Sequence, residues 1–141
     1  GLRVDAEQAG VADRVHFVDP VGSDDVVAFL STADIGVHPM HGGIPNHEMA
    51  LPNKLFEYLH AGLPLVVTDL QVLGAFVREH GIGQTFPSED AEGLAAAVSK
   101  VIDDLSSYQQ AVSDPELRAT FTWERQADVL RQVYDELLGP A

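Results

Sequence analysis

Between Pro39 and Asp69 the chain reads PMHGGIPNHEMALPNKLFEYLHAGLPLVVTD, and most of the groups suited to ligand chemistry fall in this stretch. Gly42-Gly43 lets the backbone come close to a ligand, because glycine has no Cβ and tolerates positive φ. Pro52-Asn53 opens a compact helix, Lys54–Ala61, and Gly62 suits the left-handed position that closes one. The start of such a helix leaves several N–H groups unpaired at the positive end of its dipole, which makes an anion site. Lys54 stands where the dipole alone disfavours a cation, and a bound phosphate would reverse that balance. Asn53 and Glu57 are four apart and share one helix face. Glu57 is the one acid in this otherwise apolar helix, and a carboxylate accepts two donors at once, as the diol of a sugar or ribose offers.

Each of these groups also has a plainer role. An acid on an amphipathic helix is commonly just solvated, a lysine there lays its stem along apolar surface, and Gly-Gly serves ordinary turns. His41, His47 and Glu48 raise the question of a metal, but their spacing matches no helical or hairpin ligand pattern, so no metal site is expected. His38 and His60 read as a strand-end and a helix-surface residue.

The surrounding elements alternate. Val15–Val18 (VHFV) reads as a strand, and Ser23-Asp24-Asp25 offers an N-cap for a helix through Ser31. Ala33–His38 reads as a second strand, Met40–Leu51 as a polar, Gly-rich loop, and Leu65–Thr68 (LVVT) as a strand covered on both faces. Gln71–His80 is expected to be helical, Gly81–Phe86 to hold a short strand, and Asp90–Leu105 to form an amphipathic helix. A long helix over residues 122–138 carries Trp123, Leu130, Val133, Tyr134, Leu137 and Leu138 on its apolar side; Trp123, Phe121, Tyr134 and Tyr58 are expected in the core or in domain packing. Repeated β–α alternation with apolar strands predicts a Rossmann-like α/β fold, a parallel sheet with helices on both faces. Ligands of such sheets sit beyond the carboxyl ends of the strands, and the loop from Pro39 to Pro52 is the best placed.

The 141 residues fit one domain, 1–141, and the first ten read as the tail of a helix with no initiator Met, which suggests a piece of something longer. Eight Lys and Arg against 22 Asp and Glu leave a net charge of −14, so phosphate backbones and anionic lipid surfaces are poor partners. With no cysteine, a disulfide framework, a thiolate zinc site and a thiol nucleophile are all excluded. No apolar run approaches the roughly 20 residues of a membrane span.

The run PNKLFEYLHAGLPLVVTD resembles the signature of the C-terminal, donor-binding domain of GT-B glycosyltransferases of the group 1, family 4-like class. VHFVDPVGSDDVVAFLSTADIGVHP and FTWERQADVLRQVYDELL resemble further segments of that domain in the same order, so the likeness spans nearly the whole chain. The resemblance implies a nucleotide diphosphate sugar as donor, transfer to an acceptor hydroxyl with retention at the anomeric carbon, and no bound metal or other cofactor. It implies that Glu57 binds the ribose hydroxyls, that Pro52, Asn53 and Lys54 lie around the diphosphate and sugar, and that the loop Gly42, Gly43 through Asn46 wraps the transferred sugar. The family's first motif acid falls at Met49, one place after Glu48; either Glu48 serves with a one-residue shift, or loop groups such as Asn46 or His47 take its place. The basic clamp on the diphosphate has no counterpart in this chain, no residue stands out as a general base, and the fragment alone is expected to be inactive. The acceptor, a glycan or lipid-linked sugar, would be held by an N-terminal domain outside this chain, in a cytoplasmic enzyme that could lie peripherally at the inner membrane face. Two alternatives stand beside this: a GT-B-fold sugar-nucleotide epimerase, and a non-catalytic acidic α/β interaction module.

Overall fold

All four residues of the strand Leu65–Thr68 are buried, and its composition makes it the centre of the sheet: two β-branched valines flanked by Leu65 and Thr68. The computed structural model describes residues 1–139; Pro140 and Ala141, the end of the expected domain, lie outside the described residues. Three parallel strands form the sheet in the order β1 (Gly36–His38), β2 (Leu65–Thr68), β3 (Gly83–Phe86), with Gly36 opposite Leu65 and Leu65 opposite Gly83. Parallel neighbours need crossover connections, and the helices supply them.

In chain order these are α1 (Leu2–Gln8), α2 (Val26–Leu30), α3 (Pro45–Glu48), α4 (Asn53–Ala61), α5 (Gln71–His80), α6 (Ala91–Asp103), α7 (Leu105–Val112), α8 (Pro115–Thr120) and α9 (Trp123–Leu138), with a 3-10 turn over Ala12–Arg14. Because side chains alternate along a strand, β2 feeds two cores. Leu65 and Val67 pack with Leu55 and Leu59 of α4, Leu73 and Val77 of α5, Ile82, and Val112 of α7. Val66 packs on the other side with Phe86 and with Ala97 and Val101 of α6. Helices therefore cover both faces of a parallel sheet, as the alternation predicts, and the fold is Rossmann-like α/β.

Four expectations need correcting. Val15–Val18 is not a strand: among the described residues none pairs with it, and an apolar run becomes a strand only where a neighbour supplies ladder bonds. Val15, Phe17 and Val18 stay exposed, with the Arg3 guanidinium 4.3 Å above the Phe17 ring. Ser23 does not cap α2, because its hydroxyl bonds Asp24 and the helix begins only after Asp25. The Met40–Leu51 loop contains the short helix α3, started by Pro45 at its first position. Finally, α9 forms over Trp123–Leu138 behind a Thr122 cap, but its apolar side is open in this chain, which overturns the core alternative for Trp123 and Tyr134 and leaves that of domain packing: Trp123 is 85% exposed, and Leu137 and Tyr134 are exposed too. Amphipathic spacing says which face is apolar, not whether anything covers it.

The expected helix over Asp90–Leu105 ends at Asp103, and residues 106–120, which carried no expectation, belong with Leu105 to α7 and α8 and the turn between them. The second starts at Pro115 behind Asp114, whose carboxylate accepts from the Glu116 amide at 2.9 Å.

Candidate functional site

Helix α4 is set on the sheet by Leu55 and Leu59, both buried, and closed by Gly62 in the left-handed conformation at φ 80°. On its flank the Tyr58 ring lies against Gly36, where even a Cβ would come within 2.5 Å of the ring, and the Tyr58 hydroxyl donates to the Val37 carbonyl at 3.2 Å. Another face, one of i, i+3, i+4, i+7 spacing, carries Asn53, Phe56, Glu57 and His60. These four line a cavity of about 680 Å³, closed on its other sides by Val26 and Val27 of α2 and by Phe121 and Trp123 at the α8–α9 corner. The walls are thus largely apolar with a few polar groups among them, the usual make-up of a small-molecule site.

Glu57 and Lys54 meet within this helix: the Lys54 ammonium donates to Glu57 Oε2 at 2.7 Å. Glu57 is the better shielded of the two, its side chain 26% exposed. Lys54's charge is felt beyond the pair. His38, at the end of β1, has its pKa lowered from 6.5, first by burial and then by the Lys54 cation. Burial also raises the Tyr58 phenol above its usual value of 10.0, with Lys54 opposing. The His38 Nε2 is buried with no partner among the described residues. A neutral ring fits that environment better than a charged one. His60, expected on the surface, is instead half-buried, its Nε2 2.9 Å from the Phe121 carbonyl oxygen.

The Gly-rich loop after β1 is anchored by three side chains, those of Thr68, Ser88 and Glu48. Thr68 Oγ1, at the end of β2, accepts from the Met40 amide at 2.8 Å, and Ser88 Oγ, after β3, accepts from the Gly42 amide at 2.8 Å. Gly43 turns at φ 74°, and its amide donates to Glu48 Oε1 of α3 at 2.9 Å. The other oxygen of Glu48 accepts from the Gln71 amide, the first residue of α5, at 3.0 Å. The Gly43 amide first and the Gln71 amide second hold the Glu48 carboxyl below its ordinary pKa of 4.5. Asn46 is exposed on α3, and Met49, where a motif acid was expected, is an exposed residue at its end. A second hollow of about 380 Å³ lies beyond the strand ends, lined by Met40, His41, Thr68, Phe86 and the Glu89-Asp90 lip of α6. Among the described residues no group of three or more His, Asp and Glu side chains is placed to hold a metal ion.

The eight residues expected at a site therefore fall into two groups. Asn53, Lys54 and Glu57, with Pro52 as the residue before the helix, sit at the start of α4, where Asn53 and Glu57 face the larger cavity. Gly42, Gly43 and Glu48, with Asn46 on the same short helix as Glu48, belong to the anchored loop; none of the four lines that cavity. Helix starts separate the groups further. The N-terminus of α5 is occupied by Glu48 and that of α6 by its own Asp90, which accepts from the Gly93 amide at 2.8 Å. Helix α4 begins behind Pro52 with no side-chain cap; its Leu55 amide donates to the Pro52 carbonyl at 3.0 Å, which leaves the Asn53 and Lys54 amides without an acceptor among the described residues. Sequence reasoning did not single out Thr68 and Ser88, although a hydroxyl at the end of a buried strand (VVT) and another after Pro87 were visible as polar residues at strand ends.

Residues 2–104 match the family described as glycosyl transferases group 1. The chain belongs to the group 1 glycosyltransferases. Among the curated relatives of this glycosyltransferase chain, a glycogen synthase of Mycobacterium tuberculosis is 30% identical over 92% of the chain and 30% of its own length. A D-inositol 3-phosphate glycosyltransferase of Mycobacterium marinum is 26% identical over 99% of the chain and 29% of its own length. A phosphatidyl-myo-inositol mannosyltransferase of Mycobacterium leprae is 24% identical over 92% of the chain and 34% of its own length. The chain thus spans about a third of these relatives. None of its described helices is long and apolar enough to cross a membrane.

Proposed function

We propose that this chain is the donor-binding part of a glycosyltransferase and that the start of α4 receives the nucleoside diphosphate of a nucleotide sugar. The observation that carries the reading is the conjunction at α4: a helix of nine residues with no side-chain cap, a lysine in its first turn, and Asn53 and Glu57 facing a cavity of about 680 Å³. In this reading the diphosphate takes the Asn53 and Lys54 amides of α4 and the Lys54 charge, which stabilise the departing nucleotide as negative charge grows on it. Glu57 accepts from the ribose hydroxyls; one of its oxygens is engaged by Lys54 at 2.7 Å, which also fixes the carboxylate in place. The base lies along the apolar wall of Val26, Val27 and Phe56. The anchored Gly42–Asn46 loop orients the sugar.

The acceptor hydroxyl and the remaining contacts to the diphosphate belong to parts of the enzyme outside this chain, and retention at the anomeric carbon, independence from metal and inactivity of the chain alone go with the same proposal. Family membership favours it over the interaction module. The test is a ¹H–¹⁵N NMR titration of the chain with UDP, GDP and ADP in turn. Shifts centred on the amides of Asn53 and Lys54 are expected; shifts confined to other elements contradict the assignment.

A further inference from the structure

Glu48 stands one place from where the motif acid of the family falls, yet its surroundings describe a different task. Each of its oxygens is held by a backbone amide, Gly43 at 2.9 Å and Gln71 at 3.0 Å, and the two amides belong to different elements. The Gln71 amide is the first of α5, and the residue before it, Leu70, has no side-chain acceptor to offer. Glu48 supplies that missing cap from 23 positions away, where its negative charge also meets the positive end of the helix dipole. On the other side it pins the left-handed turn at Gly43, next to the Gly42 amide that Ser88 holds at 2.8 Å. The lowered pKa of Glu48, caused first by these two amides, agrees with a carboxylate committed to backbone donors.

We infer that Glu48 is a positioning residue: it ties the Gly42-Gly43 loop to the start of α5 and does not itself grip the transferred sugar. Releasing the carboxylate to a sugar hydroxyl would strip the acceptor from a helix start and from a turn amide together. The same bond explains why α5, although it follows a strand end in a parallel sheet, does not compete with α4 for the donor's phosphates: a carboxylate already occupies its anion position. The inference rests on the donor reading above for what the loop orients, but the clasp itself is a property of the free chain.

The experiment is NMR detection of through-hydrogen-bond couplings in the ¹³C,¹⁵N-labelled chain, from amide nitrogens to the side-chain carboxyl carbon of Glu48. Both Gly43 and Gln71 should show a coupling to that one carbon. Glu48→Gln, with a single accepting oxygen, should leave one of the two amides without its acceptor, moving its resonance while the amides of Leu65–Val67 stay unchanged and report an intact sheet. The couplings should persist when the chain is saturated with UDP-glucose, GDP-mannose or ADP-glucose, whichever binds. Absence of either coupling in the free chain, or its loss on saturation, overturns the inference. If none of the three nucleotide sugars binds while both couplings are present, the donor reading fails and the clasp stands.

Discussion

Placing a methyl group at Gly36 should unseat α4, and the size of the effect follows from one contact. A Cβ built there lies 2.5 Å from two carbons of the Tyr58 ring and 2.9 Å from a third, distances that side chains do not tolerate. Gly36 is buried in β1 and lies outside the positive-φ glycines, so alanine meets no backbone objection and the cost is steric. Overpacking of this kind typically costs about 1–3 kcal/mol. Relief would require the ring to swing away, giving up the Tyr58 hydroxyl bond to Val37 at 3.2 Å and shifting the helix that carries Asn53 and Glu57. Replacing Tyr58 with alanine removes the obstacle. In that background Gly36→Ala should cost less than about 0.5 kcal/mol, or stabilise slightly, because alanine loses less backbone freedom on folding. The assay is urea unfolding of the four chains of the cycle, which isolates the pairwise term. A Gly36→Ala cost that is the same with and without the Tyr58 ring would refute the steric account of how α4 is seated.

Further predictions concern the charged and exposed groups around α4. The folded pKa of His38 lies below 6.5, so the unfolded chain binds that proton more readily and stability falls as pH drops from above 6.5 toward the folded value. His38→Gln should therefore lose less stability than the parent between pH 7.5 and 5.5 in urea titrations, and Lys54→Met should move the imidazole titration of His38 back toward 6.5. Trp123, at 85% exposure, should be replaceable by alanine within about 0.5 kcal/mol of stability in thermal unfolding of this chain, as a residue outside its core would be.

Much of this architecture can be read from the residues, for reasons that differ by element. LPLVVTD announces a buried strand because β-branched residues without alternation fit only a strand covered on both faces, and β2 is that strand. Gly62 and Gly81 mark the ends of α4 and α5 because both ends need positive φ, found at 80° and 63°. Local patterns say less about what an element meets. VHFV has the composition of a strand but no ladder partner among the described residues, and α9 has an apolar side that nothing described covers. The site divides in the same way. Asn53, Lys54 and Glu57 are local to one helix, so their spacing alone places them together. Glu48's engagement with Gln71 joins residues 23 apart, and the anchors Thr68 and Ser88 reach the loop from 28 and 46 positions away. No periodicity encodes such long-range bonds.

The central claim, that the Asn53–Glu57 face of α4 holds the nucleotide of the donor, is tested most directly by titration calorimetry of this chain with UDP, GDP and ADP, repeated on Glu57→Ala. A hydrogen bond to a charged group is worth about 1.5–3 kcal/mol, so the variant should bind the preferred nucleotide roughly ten- to a hundredfold more weakly. Binding by Glu57→Ala as tight as that of the parent chain would contradict it.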